Sequence, residues 1–259
     1  MLFLVQSNIY SDPDHNRIFD ALQDLNIPYE KIELNSETQE ITIQADRTDV
    51  FVYGSVKLAR LAKVNTHWNP GSFYGGNHQY KIYSNYYKDN LLNYDVEVFE
   101  FQNAISWKPN EQKFIKPYKD AKIFTGNVFT ETKWTDFVAN SLENPRTPLL
   151  NGKSLIQASI PKEIYKEARL WIVGGQIVAA VYYKFNGDVM FEAEVSSEGI
   201  NFAKKMLQIY EVAEAFVMDI CLTNYGWKIV EINCINSAGF YPNLNVHSLI
   251  KALDIYFSA

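Results

Sequence analysis

The chain has 259 residues, 47% hydrophobic and 15% aromatic, and 24 basic against 30 acidic residues leave a formal charge of −6. That length and apolar content can fill one large core or two modest ones. An acidic balance without a long basic run argues against a nucleic-acid backbone as principal partner, although a few lysines suffice for a phosphate-bearing small molecule.

Met1-Leu-Phe-Leu-Val5 gives way to Gln6, Ser7 and Asn8, too soon for a signal-peptide core or a membrane span. Leu2 to Val5 is therefore expected as a first strand, with no membrane partner. Asn16 to Leu25 reads as an amphipathic helix, and Tyr29 to Leu34 and Asp49 to Tyr53 read as strands. This alternation implies a small α/β unit with parallel pairing. Gly54-Ser55 then turns into a helix over Val56 to Lys63. Backbone N–H groups at such a start can hold an anion, but a glycine that only makes the turn explains the stretch equally well. Asn69 to Gly76 reads as a loop and Lys88 to Asn93 as a short helix or turn.

A second unit opens near Ser106, which divides the chain into 1–105 and 106–259. Lys113-Phe-Ile-Lys116-Pro117 is a short strand. Tyr118 to Phe129, with Asp120, Lys122 and Gly126, reads as strand, loop and strand, and Ser154 to Ile160 as another strand. Glu167 to Val173 and Gln176 to Lys184 flank Gly174-Gly175, a two-residue hairpin signal. Pairing Val173 with Gln176 puts Ala168, Leu170, Ile172, Ile177, Ala179, Val181 and Tyr183 on one face. Glu167, Arg169, Trp171, Tyr182 and Lys184 fall on the other, a division that a half-solvated sheet would give without any function. Ile200, Ala203, Met206, Leu207, Tyr210 and Ala213 recur at helical spacing.

Val217 to Leu222 and Trp227 to Ile232 are β-prone, and Asn224-Tyr-Gly226 suits a three-residue turn with glycine in the left-handed position. Pairing Thr223 with Trp227 sets Asp219 opposite Glu231, with Asn233, Cys221 and Ile229 on the same face. Facing carboxylates among apolar neighbours repel, so a positive group should sit between them. They could be structural, with Asp219 bonding a loop amide and Glu231 a lysine. Alternatively, the oxygens of Asp219, Glu231 and Asn233 suit Mg²⁺, with Lys116 and Arg169 as counter-charges for nucleotide phosphates. On that reading, removing one carboxylate should leave the fold intact and slightly stabilise the metal-free protein. Cys221 and Cys234 fit neither a disulfide framework nor a zinc site, which points to a reducing cytoplasm. His15, His67, His78 and His247 are scattered, giving no metal pair and no His-based triad.

With Phe114-Ile-Lys116-Pro117, Glu167-Ala-Arg169, Met218-Asp-Ile220, Val230-Glu-Ile-Asn233 and Ser237-Ala-Gly-Phe-Tyr241, the sequence resembles the ATP-grasp superfamily. It is similar in particular to a divergent clade with bacterial and phage members that includes a eukaryotic cell-division-cycle protein assisting translation initiation factor assembly. Val52 to Lys57 and Pro70 to Tyr74 resemble the leading region of the shorter members. The resemblance implies a mixed α+β and α/β fold, a small N-terminal α/β unit followed by two antiparallel-sheet lobes that clamp the nucleotide. It implies ATP and Mg²⁺ as cofactors, with Lys116 at the α-phosphate region, Arg169 at the γ-phosphate, and Asp219, Glu231 and Asn233 on magnesium. Lys184 would add charge at the terminal phosphoryl. Gln157, Ala158, Ser159 and Ile160 occupy the adenine hinge, where backbone groups would bond the base. The phosphate-covering loop departs from the family pattern, since Tyr118 to Val128 has Gly126 as its one glycine, and Lys122 would compensate. The implied activity is a ligase joining a carboxylate to an amine or thiol through an acyl phosphate, with a peptide or protein among the candidate targets. The alternative is an assembly factor that binds ATP without ligating anything. A kinase-like activity lacks its H-R-D-x-x-x-x-N and D-F-G signatures.

Overall fold

The computed structural model describes residues 1–35, 37, 47–64, 67–118, 123–144, 150–192 and 194–258. Lys122 lies outside them. Two compact units divide the chain: residues 1–90 together with 164–259, and residues 91–163. The boundary expected at residue 105 falls inside the smaller unit, because the strand before it pairs with one well after it.

The larger unit opens with β1 (Leu2–Gln6), α1 (Arg17–Asp24), β2 (Tyr29–Ile32), β3 (Val50–Tyr53), α2 (Val56–Lys63) and α3 (Tyr80–Tyr87). The strands form a parallel sheet in the order β2-β1-β3, as the alternation of elements predicts. Its apolar residues split by the period of two. Phe3, Val5, Phe51 and Tyr53 enter one core, while Leu2, Leu4, Val50 and Val52 enter another with Leu58, Ala62 and Trp68. Both faces are covered, which is the usual condition of parallel strands.

At the end of β3 the turn residues are engaged by the protein itself. Gly54 N donates to Asn236 O at 2.8 Å, Ser55 N to Gln6 Oε1 at 3.0 Å, and Leu58 N to Ser55 Oγ at 3.2 Å. These donors are spent on the fold, which favours the plain turn over an anion site. A Cβ at position 54 would stand 2.6 Å from Gln6 Cβ and 2.9 Å from Leu58 Cδ2. Gly54→Ala should therefore cost roughly 1–3 kcal/mol through overpacking, read as a lower urea midpoint; an unchanged midpoint would show that the turn has room to spare.

The smaller unit contains β4 (Glu97–Glu100), β5 (Lys113–Pro117), β6 (Asn127–Phe129), α4 (Glu131–Glu143) and β7 (Leu155–Ser159). Its antiparallel order is β4-β7-β5-β6. Ile115, Phe129, Trp134, Ile156 and Ala158 form its core with Phe101, whose ring meets Trp134 edge-on at 5.6 Å.

The chain then returns to the larger unit with β8 (Lys166–Val173), β9 (Gln176–Phe185), β10 (Asp188–Glu192), α5 (Ser197–Ile209), β11 (Ala215–Thr223), β12 (Gly226–Asn233) and α6 (Val246–Phe257). The second sheet is antiparallel, in the order β10-β9-β8-β11-β12. Trp171, Val181, Ala215 and Val217 from this sheet share a core with Phe3 and Phe51 of the first sheet and with Leu249, Ile250 and Leu253 of α6. Among the described residues no helix is long and apolar enough to cross a membrane.

Candidate active site

The site face of the second sheet is shaped by β-bulges, each adding one unpaired residue and re-aiming its neighbours. Val173 pairs with Gln176 as expected, but the register shifts between Trp171 and Ile172 and again between Glu167 and Ala168. Ala179 and Val181 thereby join the Arg169 face, while Tyr182 moves behind with Ala168. The face is not half-solvated either, since Trp171 is fully buried and the Arg169 side chain is 14% exposed.

The last hairpin reaches its expected pairing by another route. Gly226, at φ +90°, makes the left-handed turn position, but Thr223 pairs with Gly226 and Leu222 with Trp227. A bulge between Ile220 and Asp219 then adds Val230 and restores Asp219 opposite Glu231. Ile229 consequently pairs with Ile220 on the opposite face, and Lys228 stands beside Cys221. Across β9, β8, β11 and β12 the site face reads Lys184, Glu167, Cys221, Lys228. The next row is Val181, Arg169, Asp219, Glu231, and the one after it Ala179, Trp171, Val217, Asn233.

Arg169 supplies the positive group that facing carboxylates require. Its Nε donates to Asp219 Oδ1 at 2.8 Å and its Nη2 to Oδ2 at 2.7 Å, a bidentate pair of the strong, directional kind. Asn233 Nδ2 bridges the two acids, donating to Asp219 Oδ2 at 3.2 Å and Glu231 Oε1 at 3.1 Å. Burial pushes the Asp219 carboxyl up against the opposing pull of Arg169, and Glu231 and Glu167 push it the same way as burial. The structural alternative for Asp219, a loop amide, is replaced by an arginine.

Tyr241 lies over this pair, with the Arg169 guanidinium 5.1 Å from its ring centroid. Its ring stacks on Tyr183 at 5.1 Å and contacts Phe191 at 5.6 Å; burial pushes its hydroxyl up to about 12. The segment carrying Tyr241 is held from the N-terminal sheet and helix. Arg17 Nη1 donates to Tyr241 O at 3.0 Å, Asp12 accepts from Phe240 N, and the buried Asn236 donates to Val52 O at 2.7 Å. Glu167, in the neighbouring row, accepts from Tyr183 Oη at 2.8 Å and pairs with Lys184 Nζ at 3.4 Å. Sequence reading assigned no role to Tyr241, Tyr183 or Glu167. The aromatic-rich Gly239-Phe-Tyr241 and Tyr182-Tyr183-Lys184 stretches were the available signal.

The smaller unit holds the other expected residues. Lys116 on β5 pairs with Gln157 on β7, so they share a face. A Cβ on Gly126 would come 2.9 Å from Lys116 Cβ and 2.8 Å from the Phe114 ring, so the glycine lets the loop pack close to that lysine. Gln157 and Ala158 lie between two partner strands, whereas Ile160 follows the strand and is 66% exposed. Gln157 Nε2 donates to Pro117 O at 3.2 Å, which fixes the amide's orientation. Gln157 Oε1 is left buried and without a partner among the described residues. Ser159 Oγ donates to Asn93 Oδ1 at 3.0 Å. The hinge thus has a side-chain signature that the sequence did not reveal.

Magnesium fits the donor set of the larger unit: two carboxylates, and a carboxamide that can turn its oxygen inward, are hard oxygen ligands. No group of three or more His, Cys, Asp or Glu suited to a metal occurs among the described residues, so any ion here would rely on that amide and on ligands from substrate or water.

Comparison with curated proteins gives no match. Among solved structures, the D-alanine–D-alanine ligase of Bacillus anthracis is similar at 12% identity, with a TM-score of 0.62 over 99% of this chain and 93% of that one. The D-cycloserine synthetase DcsG gives 12% identity and 0.62 over 99% and 100%. The ATP-grasp ligase PsnB, solved with precursor peptide PsnA2 and AMPPNP, gives 12% and 0.62 over 100% and 97%. At these identities they establish the fold, an ATP-grasp fold of mixed α/β content with antiparallel sheets. An ATP-grasp domain family, family 3 of its clade, matches residues 66–253, and the chain belongs to it.

Proposed function

We propose that the protein is a magnesium- and ATP-dependent ligase that activates a carboxylate as an acyl phosphate and passes the acyl group to an amine or thiol. The carrying observation is the Asp219, Glu231 and Asn233 oxygen cluster, tied to Arg169 through Asp219, on a chain of the ATP-grasp family. Magnesium held by those three residues would neutralise charge on the nucleotide phosphates. Arg169, with two donors committed to Asp219, offers its remaining N–H groups to the migrating phosphoryl, and Lys184 adds charge beside it. Lys116 and Lys122 serve the inner phosphates. Gln157 Oε1, a buried acceptor without a donor among the described residues, suits the exocyclic amino group of adenine, while backbone at Ala158, Ser159 and Ile160 borders the base. Phosphoryl transfer asks chiefly for positioning and charge neutralisation, so no side-chain nucleophile is required. PsnB, solved with a precursor peptide, makes a peptide a reasonable acceptor class to try first. Two buried free cysteines accord with work in a reducing cytoplasm.

Transfer to a carboxylate breaks the β–γ linkage, so ADP and phosphate are the expected products. Incubation with ATP, magnesium and host extract, followed by nucleotide chromatography and mass spectrometry for a new amide, tests this. Stoichiometric AMP would overturn the acyl-phosphate route. Tight ATP binding without any product would favour the assembly factor.

A further inference from the structure

Glu167 is a carboxylate to which the proposed mechanism gives no task. It is 9% exposed, next to Asp219 and Glu231, and both of these acids' charges and its own disfavour one another in a buried setting. An acid kept at such a cost needs compensation, and it receives two contacts. Tyr183 Oη donates to Oε2 at 2.8 Å and Lys184 Nζ approaches Oε1 at 3.4 Å.

Both contacts arise from one irregularity. Glu167 pairs with Lys184 and Ala168 with Tyr182, which leaves Tyr183 as the extra residue of a bulge. In a regular strand Tyr183 and Lys184 would point to opposite faces. The bulge lets adjacent side chains reach the same carboxylate. Lysine is a point charge on a flexible stem, and the Lys184 side chain is 40% exposed, so without a fixed partner its ammonium would sample many positions. Tyr183 in turn is held by its stack on Tyr241, which lies on Arg169. The carboxylate is thus anchored on one oxygen and aims the ammonium with the other.

We infer that Glu167 is a positioning residue that, braced by Tyr183, holds the Lys184 ammonium for the terminal phosphates of the nucleotide; this rests on the nucleotide role proposed for Lys184. If Lys184 merely neutralised Glu167, the ion pair would be the same but nucleotide affinity would not depend on it.

Calorimetric titration of the full chain with Mg-ATP and with AMP separates the cases, using Glu167→Gln, Lys184→Met and their double variant. The glutamine side chain keeps an acceptor for Tyr183 and loses the charge that holds the lysine. Glu167→Gln should weaken ATP binding roughly 5-fold, leave AMP binding unchanged, and have no further effect in the Lys184→Met background, the coupling expected of side chains in contact. Equal losses for ATP and AMP, or the same loss with and without Lys184, would overturn the inference. So would unchanged ATP affinity in Glu167→Gln alongside a loss in Lys184→Met, a result that leaves the lysine's own role standing. An unchanged ATP affinity in Lys184→Met removes that role and the inference with it. If Glu167→Gln does not fold, Tyr183→Phe keeps the ring stack, removes only the brace, and is expected to give a loss of about 2-fold by the same coupling, again absent without Lys184.

Discussion

Asp219→Asn is expected to destabilise the metal-free protein by about 3 kcal/mol or more, the usual cost of removing one partner from a buried ion pair. Asp219 is 2% exposed, and both its oxygens take hydrogen bonds from Arg169. An asparagine would offer one acceptor and turn an N–H₂ group toward a guanidinium N–H, leaving Arg169 buried with its charge uncompensated. Sequence alone suggested the opposite sign, because removing one of two facing carboxylates relieves repulsion. The bidentate arginine reverses it for this residue. Urea unfolding in EDTA measures the effect. Combining Asp219→Asn with Arg169→Met should recover part of the loss, since the double variant no longer buries a lone cation. A midpoint unchanged in Asp219→Asn would show that the pair contributes nothing to the fold, and the site would have to be rebuilt around another cation.

Local patterns were legible in the sequence: the parallel unit from Leu2 to Tyr53, both glycine-turn hairpins, and the facing of Asp219 and Glu231. Bulges were not legible, because the extra residue at Val230 or Tyr183 changes pairing without changing composition. The register deduced from the turn therefore gave the right partner for Asp219 and the wrong one for Ile229. The pairing of Arg169 with Asp219 was hidden for a different reason. It depends on β8 lying beside β11, a non-local strand order that α5 and β10 intervene to disguise. α6 was readable and missed, as Val246, Leu249, Ile250 and Leu253 recur at helical spacing behind the cap at Asn245. β4 was barely readable, since Glu97-Val-Phe-Glu100 is four residues with charge at both ends. The buried acceptor on Gln157 belonged to no pattern, because it depends on where Pro117 O lies.

Glu231→Gln should behave in the opposite way to Asp219→Asn, and the contrast separates metal chemistry from folding. Glu231 is half-buried at the end of its row, opposite Asp219, and its charge helps to push the Asp219 carboxyl up. A neutral amide there removes repulsion and still offers an oxygen to Asn233 Nδ2, now 3.1 Å from Glu231 Oε1. Metal-free stability should hold or rise slightly, as the sequence reading expected of either acid. The loaded state should suffer, because one of two anionic oxygen ligands for magnesium is gone. Turnover should fall roughly 10²–10³-fold, the scale of removing one electrostatic partner of a reacting group. Ligand-induced stabilisation gives a second readout that needs no substrate. At Mg-ATP near 100 Kd the wild type gains about 2.7 kcal/mol, and a variant bound 100-fold more weakly gains only about 0.4 kcal/mol at the same concentration. A thermal-shift series in EDTA and in Mg-ATP would show the variant matching the wild type in the first and falling behind in the second. If Glu231→Gln keeps the full Mg-ATP shift and its turnover, the ion does not depend on this carboxylate, and the pair at the centre of the sheet is structural.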